Sequence, residues 1–304
     1  MQSERLLELV PGAAEVRGVE QLTGGASRET WSFDALVDGA WWPLVLRSGR
    51  SGRGSMTVEA LAFEAAARAG VPEPRIVARG DSFLVMERIE GETIARRILR
   101  EERFAAARPR LAEQCGEILA RIHSISPAEI RDLEAGDPLT ETAAMIHSFA
   151  EPSPALELGL AWLEHNRPEP EAEVVLHGDF RLGNLIIGED GVRAVLDWEL
   201  VHRGDPSQDL GYLCVRAWRF GGEHPVGGFG SYEDLFRGYE RISGREVDPE
   251  RVRWWEVFGT VWWGGACMQQ AWRHLSGSER SLELAAIGRR VWEQEYDVLL
   301  ALAP

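Results

Sequence analysis

The amino-acid sequence predicts an α+β protein of two lobes, a small antiparallel sheet followed by a larger, mainly helical part. Three observations lead there. The first 90 residues alternate short strand-like runs with turn pairs and hold one helix-forming segment. From residue 91 onward the apolar residues return at the 3.6-residue helical period. Among those helices lies the stretch 174–200, VVLHGDFRLGNLIIGEDGVRAVLDWEL, which sets Asp179, Asn184 and Asp197 in runs that otherwise read as buried strands. An unpaired carboxylate is costly to bury, so the stretch points to a site rather than to a plain core.

In chain order, a short N-terminal helix comes first. Residues 16–25, 28–39 and 41–49 have strand character and end at glycines or turn pairs, and the Asp38-Gly39 step is a strong hairpin signal. They form an antiparallel meander. Residues 56–69, MTVEALAFEAAARA, are strong helix formers stopped by Gly70 and Pro72. Two strand-like pieces at 75–80 and 82–89 complete a sheet lobe over residues 1–90, and residues 91–304 form the helical lobe. Its helices are expected at 92–103, 108–124, 140–149 and 155–165, then at 206–218, 231–242, 249–273 and 278–302. Short strands at 185–187 and 192–197 flank a turn, and the glycine-rich FGGEHPVGGFGS reads as a mobile loop. The cleft between lobes is where a ligand belongs.

Composition narrows the partners. With 304 residues, 44% of them apolar or aromatic and 27% charged, the chain can bury a large core and reads as soluble and globular. Its 33 basic against 49 acidic residues give a net charge of −16, which argues against nucleic acid as a partner. The three cysteines are far apart, with no CxxC pair, and fit neither a disulfide framework nor a zinc cluster. The N-terminus, MQSERLLELVPG, is interrupted by Glu4, Arg5 and Glu8 and lacks the apolar centre of a signal peptide. No window approaches the roughly 20 apolar residues that cross a bilayer, so the expectation is a cytoplasmic protein with no membrane partner.

The polar residues of the central stretch are spaced for phosphoryl transfer. Asn184 follows Asp179 by five residues and Asp197 comes thirteen later. Such transfer needs a carboxylate to orient or deprotonate the attacking hydroxyl, and oxygen ligands to hold Mg²⁺ on the nucleotide. HGDFRLGN, followed by VLDWE and GDPSQDL, resembles the aminoglycoside phosphotransferase and choline kinase superfamily. Within it the chain looks most like the branch of kinase-like domains associated with acyl-CoA dehydrogenases. The resemblance covers most of the chain and implies a protein-kinase-like two-lobe fold, Asp179 as catalytic base, and Asn184 and Asp197 as metal ligands. Taken singly, each could cap a turn or end a strand. Three in register, with GDPSQDL behind them, favour the site. His177 is read as a hydrogen-bonded brace of the loop, because Asp179 is the better-placed base. Asp205, before Pro206, fits a helix start, and the resemblance suggests that Asp209 supports the loop backbone.

The sheet lobe should grip the nucleotide. In LTGGASRET, Gly24, Gly25 and Ser27 could bring backbone N–H groups to phosphates, although the protein-kinase GxGxxG is absent. Arg47 stands where kinases place a lysine, with Glu59 on the next helix as its partner. That departure replaces a point charge by a planar fork. The main chain of Glu87, Arg88 and Ile89 resembles the hinge that hydrogen-bonds adenine. For the acceptor the helical lobe offers Trp218, Trp254, Trp255, Trp262, Trp263, Trp272 and Trp292; of these, Trp255 and Trp262 share a helix face with Phe258. Most should be core, and a minority could line a pocket or cage a cation. The expected function is an ATP- and Mg²⁺-dependent phosphotransferase acting on a hydroxyl of a small molecule. The alternatives are a non-catalytic nucleotide-binding pseudokinase, or an antibiotic kinase acting on an aminoglycoside or macrolide. Acceptor identity, ATP against GTP, and oligomeric state stay open.

Overall fold

The computed structural model describes residues 3–22, 29–49, 55–149 and 151–303. Gly24, Gly25 and Ser27 lie outside them. Helix α1 (Ser3–Leu9) leads into a sheet of β1 (Ala13–Leu22), β2 (Glu29–Val37) and β3 (Ala40–Ser48), joined after α2 (Met56–Arg68) by β4 (Ile76–Gly80) and β5 (Phe83–Glu87). The spatial order is β1-β2-β3-β5-β4, and every pairing is antiparallel. Asp38 and Gly39 both take positive φ, 51° and 79°, the I′-like geometry that a two-residue hairpin favours. Because side chains alternate along a strand, Phe33, Ala35, Leu44 and Leu46 share one face and pack with Leu6 and Val10 near α1. Arg47 therefore falls on the opposite face. Helix α2 starts on Ser55, whose Oγ accepts the Thr57 N–H at 3.2 Å, and stops at Gly70 with φ 81°.

Beyond the hinge come α3 (Ala95–Arg100), α4 (Arg108–His123), α5 (Pro138–His147) and α6 (Pro154–His165). Next are β6 (Val174–Leu176), the hairpin of β7 (Leu185–Gly188) and β8 (Gly191–Val195), and β9 (His202–Gly204), which pairs back onto β6. Helices α7 (Ser207–Cys214), α8 (Tyr232–Ser243), α9 (Pro249–Leu275), α10 (Leu282–Gly288) and α11 (Val291–Leu302) complete the chain. One apolar core joins α2, α4, the β7–β8 hairpin, α7 and α8, and a second joins α5, α6, α9 and α11. Among the described residues no helix is long and apolar enough to cross a membrane.

Four expectations change. The helix at 206–218 ends at Cys214 as α7 and gives way, after an extended Val215, to a 3₁₀ turn at Arg216–Arg219. The helix at 92–103 starts only at Ala95, because Glu92 is engaged in β-type bonds with Ile187 at 2.9 Å in both directions, and α3 ends at an extended Glu101 before a 3₁₀ turn at Glu102–Phe104. The helix at 278–302 breaks at Arg289 and Arg290, so that α10 packs on α9 through Gly288 and α11 reaches both α9 and α6. The glycine-rich stretch after Phe220 is a packed turn rather than a mobile loop. Val226 and Phe229 are buried in it, and a Cβ on Gly228 would meet the Arg219 carbonyl oxygen at 2.3 Å. Its glycines allow close backbone approach.

Candidate active site

The site is built on the turn between β6 and β7 and is held from beneath by Asp209 of α7. One Asp209 oxygen accepts the His177 N–H at 2.8 Å and the other accepts the Gly178 N–H at 3.0 Å. Nε2 of His123, at the end of α4, lies 3.2 Å from the same carboxylate, and its Nδ1 meets the Tyr239 hydroxyl at 3.0 Å. Burial alone would raise the Asp209 pKa, but His123 and the loop amide carry it below the ordinary value. His177 is fully buried, and both its ring nitrogens face backbone: Nδ1 accepts the Asp179 N–H at 3.2 Å and Nε2 lies 3.0 Å from the Leu196 carbonyl oxygen. A ring so engaged braces the turn and has no nitrogen to offer a substrate.

Asp179 is clamped on both oxygens. Nε of Arg181 donates to Oδ1 at 3.0 Å, and Nδ2 of Asn184 donates to Oδ2 at 2.6 Å and to the Asp179 carbonyl at 2.9 Å. Arg181 lies 4.9 Å over the Trp218 ring, and a Cβ on Gly183 would sit 2.4 Å from its Nη1. The glycine of HGDFRLGN thus makes room for a guanidinium. Tyr212 stands beside this group; burial first, and then the Asp179 charge, push its phenol pKa well up.

The β7–β8 hairpin brings Asn184 and Asp197 together across 13 residues, with Leu185 opposite Val195 and the Leu196 N–H on the Asn184 carbonyl at 2.8 Å. Asp197 sits in the left-handed region, φ 68° and ψ 66°, a strained conformation for a non-glycine residue. With its amide nitrogen spent on Asp179, Asn184 has its side-chain oxygen as the atom that could hold a cation. Asp197 commits one oxygen to Nη2 of Arg47 at 2.8 Å. Among the described residues there is no cluster of three or more His, Cys, Asp or Glu that could hold a metal alone. Two hard oxygen donors suit Mg²⁺, which is commonly held by one or two carboxylates together with phosphates.

Arg47 of β3 forks between two lobes. Nη1 meets Glu59 of α2 at 2.7 Å while Nη2 meets Asp197. Burial works against both charges of the latter pair, yet their attraction raises Arg47 and lowers Asp197. Trp198 locks the same region, its Nε1 donating to Glu73 at 3.3 Å and its ring edge-on to Phe63 of α2. At the hinge, the Glu87 and Arg88 amides are already bonded to the Arg75 and Pro43 carbonyls, each at 2.9 Å. Of the three hinge amides expected to serve adenine, these two are therefore spent within the protein. The Arg88 side chain binds Ser32 and Asp34 of β2. Asp205 accepts the Ser207 N–H at 2.8 Å and pairs with Arg251 of α9, tying α7 to α9.

Next to Gly178, Trp198 and Tyr212 opens a cleft of about 990 Å³. Trp254, Trp255, Phe258 and Trp262 of α9 form an aromatic wall, and carboxylates outnumber arginines around it. Its Arg167, Arg203 and Arg251 each pair with a carboxylate. Trp218 and Trp263 instead form an aromatic cluster behind Arg181, whereas Trp272 and Trp292 are exposed and belong to neither core nor cleft. Sequence reasoning missed Arg181, His123 and Tyr212. The first stood in plain view two residues after Asp179; no spacing betrays His123, which reaches Asp209 from a helix end 86 residues away.

A helix-covered sheet hinged to a helical lobe, with these side chains at the junction, defines a kinase-like phosphotransferase fold. A model of the phosphotransferase enzyme family matches residues 18–255, and the chain belongs to that family. It is 32% identical over 199 residues to mouse acyl-CoA dehydrogenase family member 10, covering 57% of this chain and 18% of that protein. To human family member 11 it is 31% identical over 147 residues, covering 45% of this chain and 19% of that protein. The chain thus spans about a fifth of the length of these relatives. Among solved structures, a candidate aminoglycoside phosphotransferase from Ralstonia eutropha JMP134 superposes with a TM-score of 0.76 at 22% identity, over 98% of this chain and 96% of that one. A choline/ethanolamine kinase family protein from Mesorhizobium loti gives 0.66 at 19%, over 97% and 90%.

Proposed function

We propose that the protein is an ATP- and Mg²⁺-dependent phosphotransferase that moves the γ-phosphate to a hydroxyl of a small molecule, with residues 1–90 holding the nucleotide and 91–304 the acceptor. The observation that carries the reading is the clamped Asp179 carboxylate beside the hairpin that joins Asn184 to Asp197. Asp179 orients the acceptor hydroxyl and takes its proton. Arg47 meets phosphate charge, and the Ile89 amide serves the base of the nucleotide. Asn184 and Asp197 would hold Mg²⁺, which supplies charge neutralisation on the phosphates. Most of the work is positioning. A thermostable mutant of an aminoglycoside phosphotransferase, solved with ADP and hygromycin B, has the same fold at a TM-score of 0.66, which supports nucleotide use. The acid-rich rim and aromatic wall favour an uncharged or cationic alcohol over an anionic one. The buried cysteines suit a reducing compartment such as the cytoplasm.

The test is a panel of hydroxylated acceptors, including choline, aminoglycosides, macrolides, sugars and hydroxy acids, read by ADP release. Asp179→Asn should keep the rise in Tm that Mg·ATP gives and lose about 10²–10⁴-fold in transfer to the acceptor that works. Normal turnover by that variant removes Asp179 from the role of base. A wild-type Tm that ignores ATP with and without Mg²⁺ excludes the enzyme reading altogether.

A further inference from the structure

The two-way grip of Arg47 carries a consequence for the order in which ligands enter. A lysine presents one point charge, but a guanidinium is a planar fork that can serve two carboxylates at once. Arg47 does so, with Nη1 on Oε1 of Glu59 at 2.7 Å and Nη2 on Oδ1 of Asp197 at 2.8 Å. Glu59 is 1% exposed and the Arg47 side chain 12%, so this charge pair is held in a largely dry setting where attraction is strong. Asp197 is also one of the two oxygen donors that fit a divalent cation. A cation approaching Asp197 therefore meets a guanidinium already on that carboxylate. The repulsion between two fixed positive groups on one carboxylate opposes metal binding until something anionic draws the guanidinium away.

We infer that Arg47 guards Asp197, so that a divalent cation is admitted with the nucleotide and not ahead of it. This rests on the reading of Asn184 and Asp197 as the metal ligands. Phosphate oxygens arriving beneath β3 compete for Nη2 and leave Asp197 to the metal they carry. Glu59 keeps Nη1 throughout, so Arg47 swings on a fixed anchor. Metal and nucleotide then bind with positive coupling, each raising the affinity for the other.

The experiment titrates Mn²⁺ into nucleotide-free protein and follows free Mn²⁺ by electron paramagnetic resonance, a readout that needs no turnover. Wild type should bind weakly. Arg47→Met should bind at least about tenfold more tightly, as removal of a unit charge beside a dication implies. Because Arg47→Met takes the guanidinium away from buried Glu59 and can fail to fold, Arg47→Lys is measured beside it, and its single point charge should give an intermediate gain. Adding Asp197→Asn to Arg47→Lys should abolish the gain, whereas Glu59→Gln, which removes the charge of the anchor but keeps the guanidinium on Asp197, should give none. Equal Mn²⁺ affinity in wild type and Arg47→Lys overturns the inference, as does a gain that survives Asp197→Asn. Failure of ATP to bind wild type overturns the phosphotransferase reading instead and leaves the Mn²⁺ result to stand by itself.

Discussion

At the scale of single residues, the polar groups of the site are fixed before any ligand is considered. Asp179 has its two oxygens assigned to Arg181 and Asn184, and Asp209 takes up three donors from two elements. Such buried carboxylates are costly unless every lone pair is used, and here the use is structural as well as chemical. Asp209→Asn keeps the shape but turns an amide N–H toward donors. It should cost about 2–4 kcal/mol in urea unfolding at neutral pH. The sign of the pH dependence follows from the lowered Asp209 pKa. A carboxylate whose folded pKa is depressed contributes stability that is full above its unfolded pKa, about 3.9, and is lost as pH falls from there toward the folded value. Wild-type stability should therefore drop through that acid window more steeply than that of Asp209→Asn. Parallel curves for the two proteins would remove Asp209 as the cause.

Among the elements, close approach decides what the chain can tolerate. Helices α4 and α8 cross with Gly116 against the Leu235 carbonyl oxygen and Gly238 against the Glu113 carbonyl oxygen, and a Cβ at either glycine would stand 2.1 Å away. The partners are backbone, so the helices must separate to admit a methyl. Since α4 also presents His123 to Asp209, separation there would be felt at the β6–β7 turn that Asp209 holds. Gly116→Ala gains helix propensity yet should destabilise by about 1–3 kcal/mol through overpacking, measured by thermal or urea unfolding. A variant as stable as wild type would mean that the crossing relaxes freely. The hairpin of β7 and β8 matters for a different reason: its register alone sets Asn184 opposite Leu196 and next to Asp197. A one-residue slip would send its side chains to the other face.

In the whole molecule the lobes are joined by more than the hinge. Trp198 is fully buried, donates to Glu73, and packs on Phe63 of α2 and on His177 of the loop, while the Val195 N–H reaches the Pro72 carbonyl at 2.9 Å. One side chain thereby couples α2, the turn after Asp197 and the β6–β7 turn. Trp198→Ala should cost about 3–5 kcal/mol and shrink the Tm rise given by Mg·ATP, because the nucleotide site loses its fixed floor. An unchanged ligand-induced shift would show that the lobes hold their relation without this contact.

The legible part of the protein was what its chain states locally. Glycine and turn pairs at Asp38-Gly39 and Gly70, helix formers at 56–69, and the five-residue step from Asp179 to Asn184 are short-range signals, and each element or residue they point to stands where expected. The break at Arg289 and the late start of α3 were hidden, because they answer to packing against α9 and to pairing with Ile187. So was the role of the glycine-rich turn, whose composition is the same whether glycines give freedom or close contact. By itself the sequence determined the two-lobe α+β order and the spacing of Asp179, Asn184 and Asp197, because strand alternation, helical period and motif spacing are properties of neighbours in the chain. Only the tertiary structure decided that His123 supports Asp209 and that Arg47, besides the Glu59 expected as its partner, reaches Asp197. Those two contacts are formed by the folding of distant segments, 86 and 150 residues apart, and no local pattern carries that information.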